Sequence, residues 1–213
     1  NNSGYDRVVD MEGNNKVFAA DHVTTGDGDD TINGVVMYSG AGDDKLQLTG
    51  RDVQNALAAA GAGDDTITGG AGDDIIDGGD GVDTAYFTQT AGGGNYNITF
   101  DGTHVHVLDT LITGPSDGSD PLTDVEFLSF GGGTQVFRLQ TGTNGADDAI
   151  SGVDDAWNLI FGGGGVDTLT GSDVVEINSL IGNEDNDILI GGSGLVGDPS
   201  NPVFVFNEMW GVE

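Results

Sequence analysis

Residues 60–86 read AGAGDDTIT, GGAGDDIID, GGDGVDTAY: three nine-residue units with no gap between them. Glycine holds the second and fourth positions of each unit, as Gly61 and Gly63, Gly70 and Gly72, Gly79 and Gly81. Aspartate holds the sixth (Asp65, Asp74, Asp83) and a small or apolar residue the eighth (Ile67, Ile76, Ala85). The first six residues of such a unit must turn sharply, and glycine takes positive φ there at no Cβ cost. The last three are strand formers that pair with the next turn and point the eighth residue inward. A fixed period of this kind reads as a solenoid, in which each unit is buried only by its neighbours. A flexible glycine-rich linker would not keep glycine, glycine, aspartate and an aliphatic residue in phase three times.

The chemistry follows from the turn. It leaves backbone carbonyls facing one point, and the sixth-position aspartate adds a carboxylate. Carbonyls and carboxylates suit a hard cation with six to eight oxygen ligands, Ca²⁺ in preference to a transition metal. One unit cannot close such a shell, whereas two loops stacked on the same side of a coil can. Several Ca²⁺ ions are therefore expected, and the unit is the glycine- and aspartate-rich nonapeptide of the calcium-binding parallel β-helix.

Looser copies precede this block. Residues 25–33 supply Gly26, Gly28 and Asp30, and residues 39–47 supply Gly40, Gly42 and Asp44. Residues 51–60 read as a degenerate half-turn, with Asn55 in the aspartate position. A second block shows the phase ligand-x-aliphatic-x-Gly at Asp148, Asn158, Asp167, Asn178 and Asp187. Only the loop before Asp167 keeps both glycines, as Gly163 and Gly165; Ala146 and Asp185 stand where two other loops need one. If successive units make half-turns, alternate ligands stack on one side. That phase puts Asp44, Asp65 and Asp83 together, and Asp30, Asn55 and Asp74 opposite them. In the second block it puts Asp148, Asp167 and Asp187 together, opposite Asn158 and Asn178. Asn carries no charge, so the all-Asp stacks should fill first and the Asn side should hold water or no ion.

At these residues the chain resembles the repeats-in-toxin (RTX) family of bacterial secreted proteins. The resemblance implies β-rolls that fold on binding Ca²⁺ after export through a one-step, type I channel. It also implies an uncleaved C-terminal export signal, and a secreted location at a bacterial surface or matrix.

The remaining segments frame the repeats. Residues 1–24 lack repeat glycines and read as an N-terminal cap, with strands at Arg7-Val8-Val9 and Lys16-Val17-Phe18-Ala19 and with His22 as a loop or cap residue. The first roll covers residues 25–86. Residues 87–141 read as a β insert, with a hairpin turning at Asp101-Gly102. His104 and His106 lie on one face of its second strand, a solvated face rather than a metal site, and residues 114–121 read as a loop. The second roll covers residues 142–195. Residues 196–213 form a tail whose apolar run, Val203-Phe204-Val205-Phe206, is a cap strand or an edge for self-association.

Charge and composition limit the function. Five Lys and Arg face 36 Asp and Glu, a formal charge of −31, and 39 residues are glycine. Such a chain repels nucleic acid phosphates and anionic membrane surfaces, and it repels itself until cations neutralise it. There is no cysteine, hence no disulfide and no thiolate site. No apolar stretch is long enough for a membrane span. The chain starts at Asn1, which suggests a processed or partial polypeptide. No HExxH, GxSxG or P-loop pattern occurs, and acid pairs recur in every loop where a catalytic pair would occur once. The expectation is an all-β, non-enzymatic protein: two right-handed parallel β-rolls with an intervening β insert, folded by Ca²⁺. Its expected role is structural or adhesive, with possible homo-oligomers or filaments through the roll ends. The alternative is the non-catalytic calcium-folding module of a secreted hydrolase or toxin.

Overall fold

The computed structural model describes residues 7–9, 12–48, 56–88, 95–110, 116–145, 148–154, 156–172 and 178–191. These residues are all-β, without a helix. Most strand pairs are parallel and join segments one coil apart. The chain divides into two compact units, the first comprising residues 1–99 and 105–135, the second residues 100–104 and 136–213. Asn55, Ala146 and the run from Val203 to Phe206 lie outside the described residues.

In the first unit, the strand Thr31–Ala41 bends across a coil. Its first half pairs with Lys45–Leu48 and its second half with Leu57–Ala62. Two parallel ladders grow from it. One continues through Thr66–Thr68, Thr84–Phe87 and Phe127–Phe130. The other continues through Ile75–Asp80 and Ser119–Thr123. The registers line up one core residue per coil: Ile32, Leu46, Ile67, Ala85 and Leu128 on one ladder. Met37, Ala58, Ile76 and Leu122 line up on the other. All of these are at most 2% exposed. The eighth residue of each nonapeptide therefore forms the core, and the alternation comes from the two-residue period of a strand.

The segment 87–141 divides. Residues 116–130 add one more coil to both ladders, while Val105–Asp109 pairs antiparallel with Ser119–Thr123. The strand begins at Val105, so His104 stands in the turn. There the Asp101 carboxylate accepts the backbone N–H groups of Thr103 and His104. Phe87, Tyr96 and Phe130 pack ring to ring beside the last coil, with Phe87 and Phe130 stacked at 5.2 Å. On the N-terminal side, Lys16–Thr24 pairs with Arg7–Val9 and with Thr31–Ala41. His22 lies in this strand, its ring 5.7 Å from Tyr38.

The second unit repeats the plan with fewer coils. Ala149–Ser151, Thr168–Thr170 and Ile188–Ile190 form one parallel ladder. Gln135–Thr141, Trp157–Gly163 and Asn178–Asn183 form the other. Ile160, Leu169 and Leu180 make its buried core, with Ile150 and Leu189 packed against them.

Candidate metal centre

In the first unit Asp30, Asp44, Asp65 and Asp83 form one column, and each is at most 2% exposed. The Oδ1 of each accepts a backbone N–H from the coil before. Asn15 donates to Asp30 at 2.7 Å, Asp30 to Asp44 at 2.7 Å, Asp44 to Asp65 at 2.7 Å and Asp65 to Asp83 at 2.8 Å. The column ends at Glu126, whose Oε2 accepts the Asp83 N–H at 2.8 Å. The second oxygen, Oδ2, of all four aspartates is buried without a hydrogen-bond partner.

The acid before each column aspartate does different work. Asp29 accepts the N–H of Asp43, Asp43 that of Asp64, and Asp64 that of Val82. These bonds run the opposite way along the coil axis and are exposed. The paired acids of the repeat thus clamp each coil to both neighbours: the fifth residue from outside, the sixth from inside.

The glycines let these loops touch. Gly61 has φ +113°, and a Cβ there would lie 2.0 Å from the carbonyl oxygen of Gly40. Gly40, Gly42, Gly63, Gly79 and Gly81 likewise have positive φ and face the backbone of the loop one coil earlier; for Gly40 and Gly42 that loop carries Gly26 and Gly28. Backbone is packed on backbone, which no other residue permits.

The opposite side holds a shorter column. Ala56 donates its N–H to Asp74, and Asp74 donates its own to Asp120 at 2.7 Å. Gly70 and Gly72 have positive φ in this loop. Asp30 does not belong here, contrary to the half-turn phase. It lies 14 residues before Asp44, too few for two nonapeptides, and stacks directly on it. The chain turns the other corner of that coil through Gly34 and Val35, inside the strand Thr31–Ala41, with no loop at all.

In the second unit Asp148 donates its N–H to Asp167 at 2.8 Å, and Asp167 to Asp187 at 2.9 Å. Asp148 also accepts the N–H and hydroxyl of Thr143, which hold its carboxyl below the usual range. Gly163 and Gly165 take φ +100° and +109°. One coil on, Asn183 and Asp185 take φ 75° and 69° in their place, so this loop keeps the glycine-type backbone without glycine. The other side is an interlocked amide pair. Asn158 Nδ2 donates to Asn178 Oδ1, Asn158 Oδ1 accepts the Val153 N–H, and Asn178 Oδ1 accepts the Ser172 N–H. These amides satisfy one another with protein partners.

The aspartate columns of the first unit are not satisfied in that way. Among the described residues no lysine or arginine pairs with them. Burial pushes the Asp65 carboxyl up to about 7 against the bond from Asp44 N–H, with the charges of Asp44 and Asp83 adding to the rise. Burial likewise lifts Asp44, Asp74 and Asp83 to about 6 and Asp120 to about 8. A row of buried, mutually repelling carboxylates with unshared oxygens needs positive charge. The donor set is oxygen throughout and lies against loop carbonyls, which fits a hard divalent cation. Asp30, Asp44, Asp65 and Asp83 would hold it on one side of the first unit, and Asp74 with Asp120 on the other.

Comparison with known families agrees with this chemistry. The RTX calcium-binding nonapeptide repeat family matches in four copies, over residues 18–34, 57–85 and 177–194. The chain carries RTX repeats. No curated protein and no solved structure matches it. Within the first unit the RTX matches stop at residue 85, one coil short of the column ends at Asp120 and Glu126. Sequence reasoning also stopped there, although Asp120-Pro121-Leu122 and Glu126-Phe127-Leu128 both keep the ligand-x-aliphatic phase. Among the described residues no helix is long and apolar enough to cross a membrane.

Proposed function

We propose that this chain is a calcium-folded, non-catalytic RTX module of a bacterial secreted protein, built as right-handed β-rolls. The observation that carries the reading is the column of buried Oδ2 atoms on Asp30, Asp44, Asp65 and Asp83, which have no protein partner. Calcium supplies charge neutralisation and a shared ligand shell between coils. The protein supplies carboxylates in register and carbonyls on glycine turns. Export before folding suits such a chain, because the weak sites of extracellular modules fill only where free calcium is in the millimolar range. Far-ultraviolet circular dichroism during a calcium titration, with magnesium as control, tests this. A chain that gains its β signal in calcium and not in magnesium supports it; a full β signal in chelator contradicts it.

A structural or adhesive role at the cell surface, in the matrix or in a filament is the finer reading. One observation favours self-association: among the described residues Ile188–Ile190 is the last strand of its ladder, with Ile188 54% and Ile190 45% exposed, an apolar edge of the kind that pairs with other strands. The Val203 to Phe206 run is the second candidate surface. Light scattering in calcium, on the full chain and on one lacking residues 196–213, separates the two. Loss of association with the tail assigns it to the tail, retained association assigns it to the ladder edge, and monomers throughout refute it.

A further inference from the structure

We propose that Asp74 and Asp120 hold a calcium ion between them, so that a segment outside the matched repeats completes a site the 69–77 repeat cannot close alone. The proposal rests on the calcium reading above and extends it to a ligand 46 residues downstream.

The geometry repeats that of the main column, bond for bond. Asp74 N–H donates to Asp120 Oδ1 at 2.7 Å, as Asp44 N–H does to Asp65. Ser119 N–H donates to Asp73 Oδ1 at 2.9 Å, as Val82 N–H does to Asp64. Gly118 has φ +88°, and a Cβ on it would lie 2.0 Å from the Gly72 carbonyl oxygen, so the two loops touch backbone to backbone. Asp74 and Asp120 are each 1% exposed. The Oδ2 atoms of both are buried without a partner.

Gly69 shows that these two oxygens border one space. A Cβ built there would stand 3.2 Å from Asp74 Oδ2 and 3.6 Å from Asp120 Oδ2. The absence of a side chain keeps that space open between two unshared carboxylate oxygens. A divalent cation with oxygen ligands is the occupant that this donor set and this charge select. The ion would also fasten Ser119–Thr123 onto Ile75–Asp80, and through its antiparallel pairing the strand Val105–Asp109. Calcium then secures the excursion between the ladders as well as the repeats.

The test compares the wild-type chain with Asp120→Asn, using calcium chloride as the only added metal. Native mass spectrometry at a calcium concentration that saturates the wild type should show one ion fewer in the variant. Hydrogen exchange should speed up in Ser119–Thr123, while the overall calcium-induced β signal stays. An unchanged ion count with unchanged exchange overturns the proposal. Calcium anomalous scattering from wild-type crystals needs no variant and covers the case in which Asp120→Asn does not fold. A peak between Asp74 and Asp120 supports the site. Peaks beside Asp65 with none there overturn the proposal and leave the calcium reading standing, whereas no peak at any column overturns both.

Discussion

Asp65 shows what a single proposed ligand does in this fold. Its Oδ1 accepts the Asp44 N–H, and its Oδ2 is the atom left for metal. Asp65→Asn keeps an oxygen acceptor for that N–H but removes the charge. The calcium midpoint of folding should rise on the order of tenfold, about 1.4 kcal/mol. Asp65→Ala additionally leaves the Asp44 N–H buried without an acceptor, a further cost of about 1–3 kcal/mol. Calcium titrations of the two variants should rank wild type, Asn, Ala; equal midpoints for all three would contradict the ligand role. Glycines separate in the same way. Gly61→Ala drives a Cβ into the Gly40 carbonyl at 2.0 Å and should cost about 3 kcal/mol or more. Gly132, at φ +68° with nothing within 4 Å, should cost only about 1–2 kcal/mol as alanine, for backbone strain alone. Urea denaturation in calcium checks the contrast.

The coil is the next scale, and there neighbouring carboxyls act together. Burial raises Asp44, Asp74 and Asp83 to about 6, Asp65 to about 7 and Asp120 to about 8. In the unfolded chain such groups titrate near 3.9. A folded-state value above the unfolded one means the metal-free coil favours bound protons. Its stabilising contribution is complete below about pH 4 and is lost as pH rises through about 6–8. Metal-free chain should therefore gain β signal as pH falls from 8 towards 4. Calcium-loaded chain should need more calcium over the same interval, because protons compete for the same oxygens. Circular dichroism across that range checks both signs; a metal-free chain that loses β signal on acidification would contradict them. The coil is also where the sequence was partly legible. The ligand-x-aliphatic phase correctly placed Ile67, Ile76 and Ala85 in the core and Asp44, Asp65 and Asp83 in one column. Coil length was not legible at Asp30, because Gly34 and Val35 turn a corner that elsewhere takes a whole loop. The coil at residues 116–130 was hidden by chemistry that mimics a loop: Pro121 inside a strand, Asp124 at φ 47° in place of glycine, and glutamate in place of aspartate at 126.

For the whole molecule, the formal charge of −31 sets the boundary condition. The two ladders of the first unit line up one in-register core residue per coil, and at Ala58 and Ala85 that residue is only alanine. That is a thin core with which to offset self-repulsion and the ordering of 39 glycines. The aspartate columns bond each loop of the first unit to the next, and buried carboxylates in a row favour that arrangement only when their charge is neutralised. On the function proposed above, the fold and its metal are one equilibrium. The amides of Asp30, Asp44 and Asp65 each donate to a carboxylate of the next coil, and they report that equilibrium where it is made. Hydrogen exchange at these three amides, read by NMR with saturating calcium and again with excess chelator at neutral pH, tests it directly. Protection in calcium that falls to unfolded-chain rates in chelator is the expected result. Equal protection in both conditions would show that the columns stand without metal and would contradict the account.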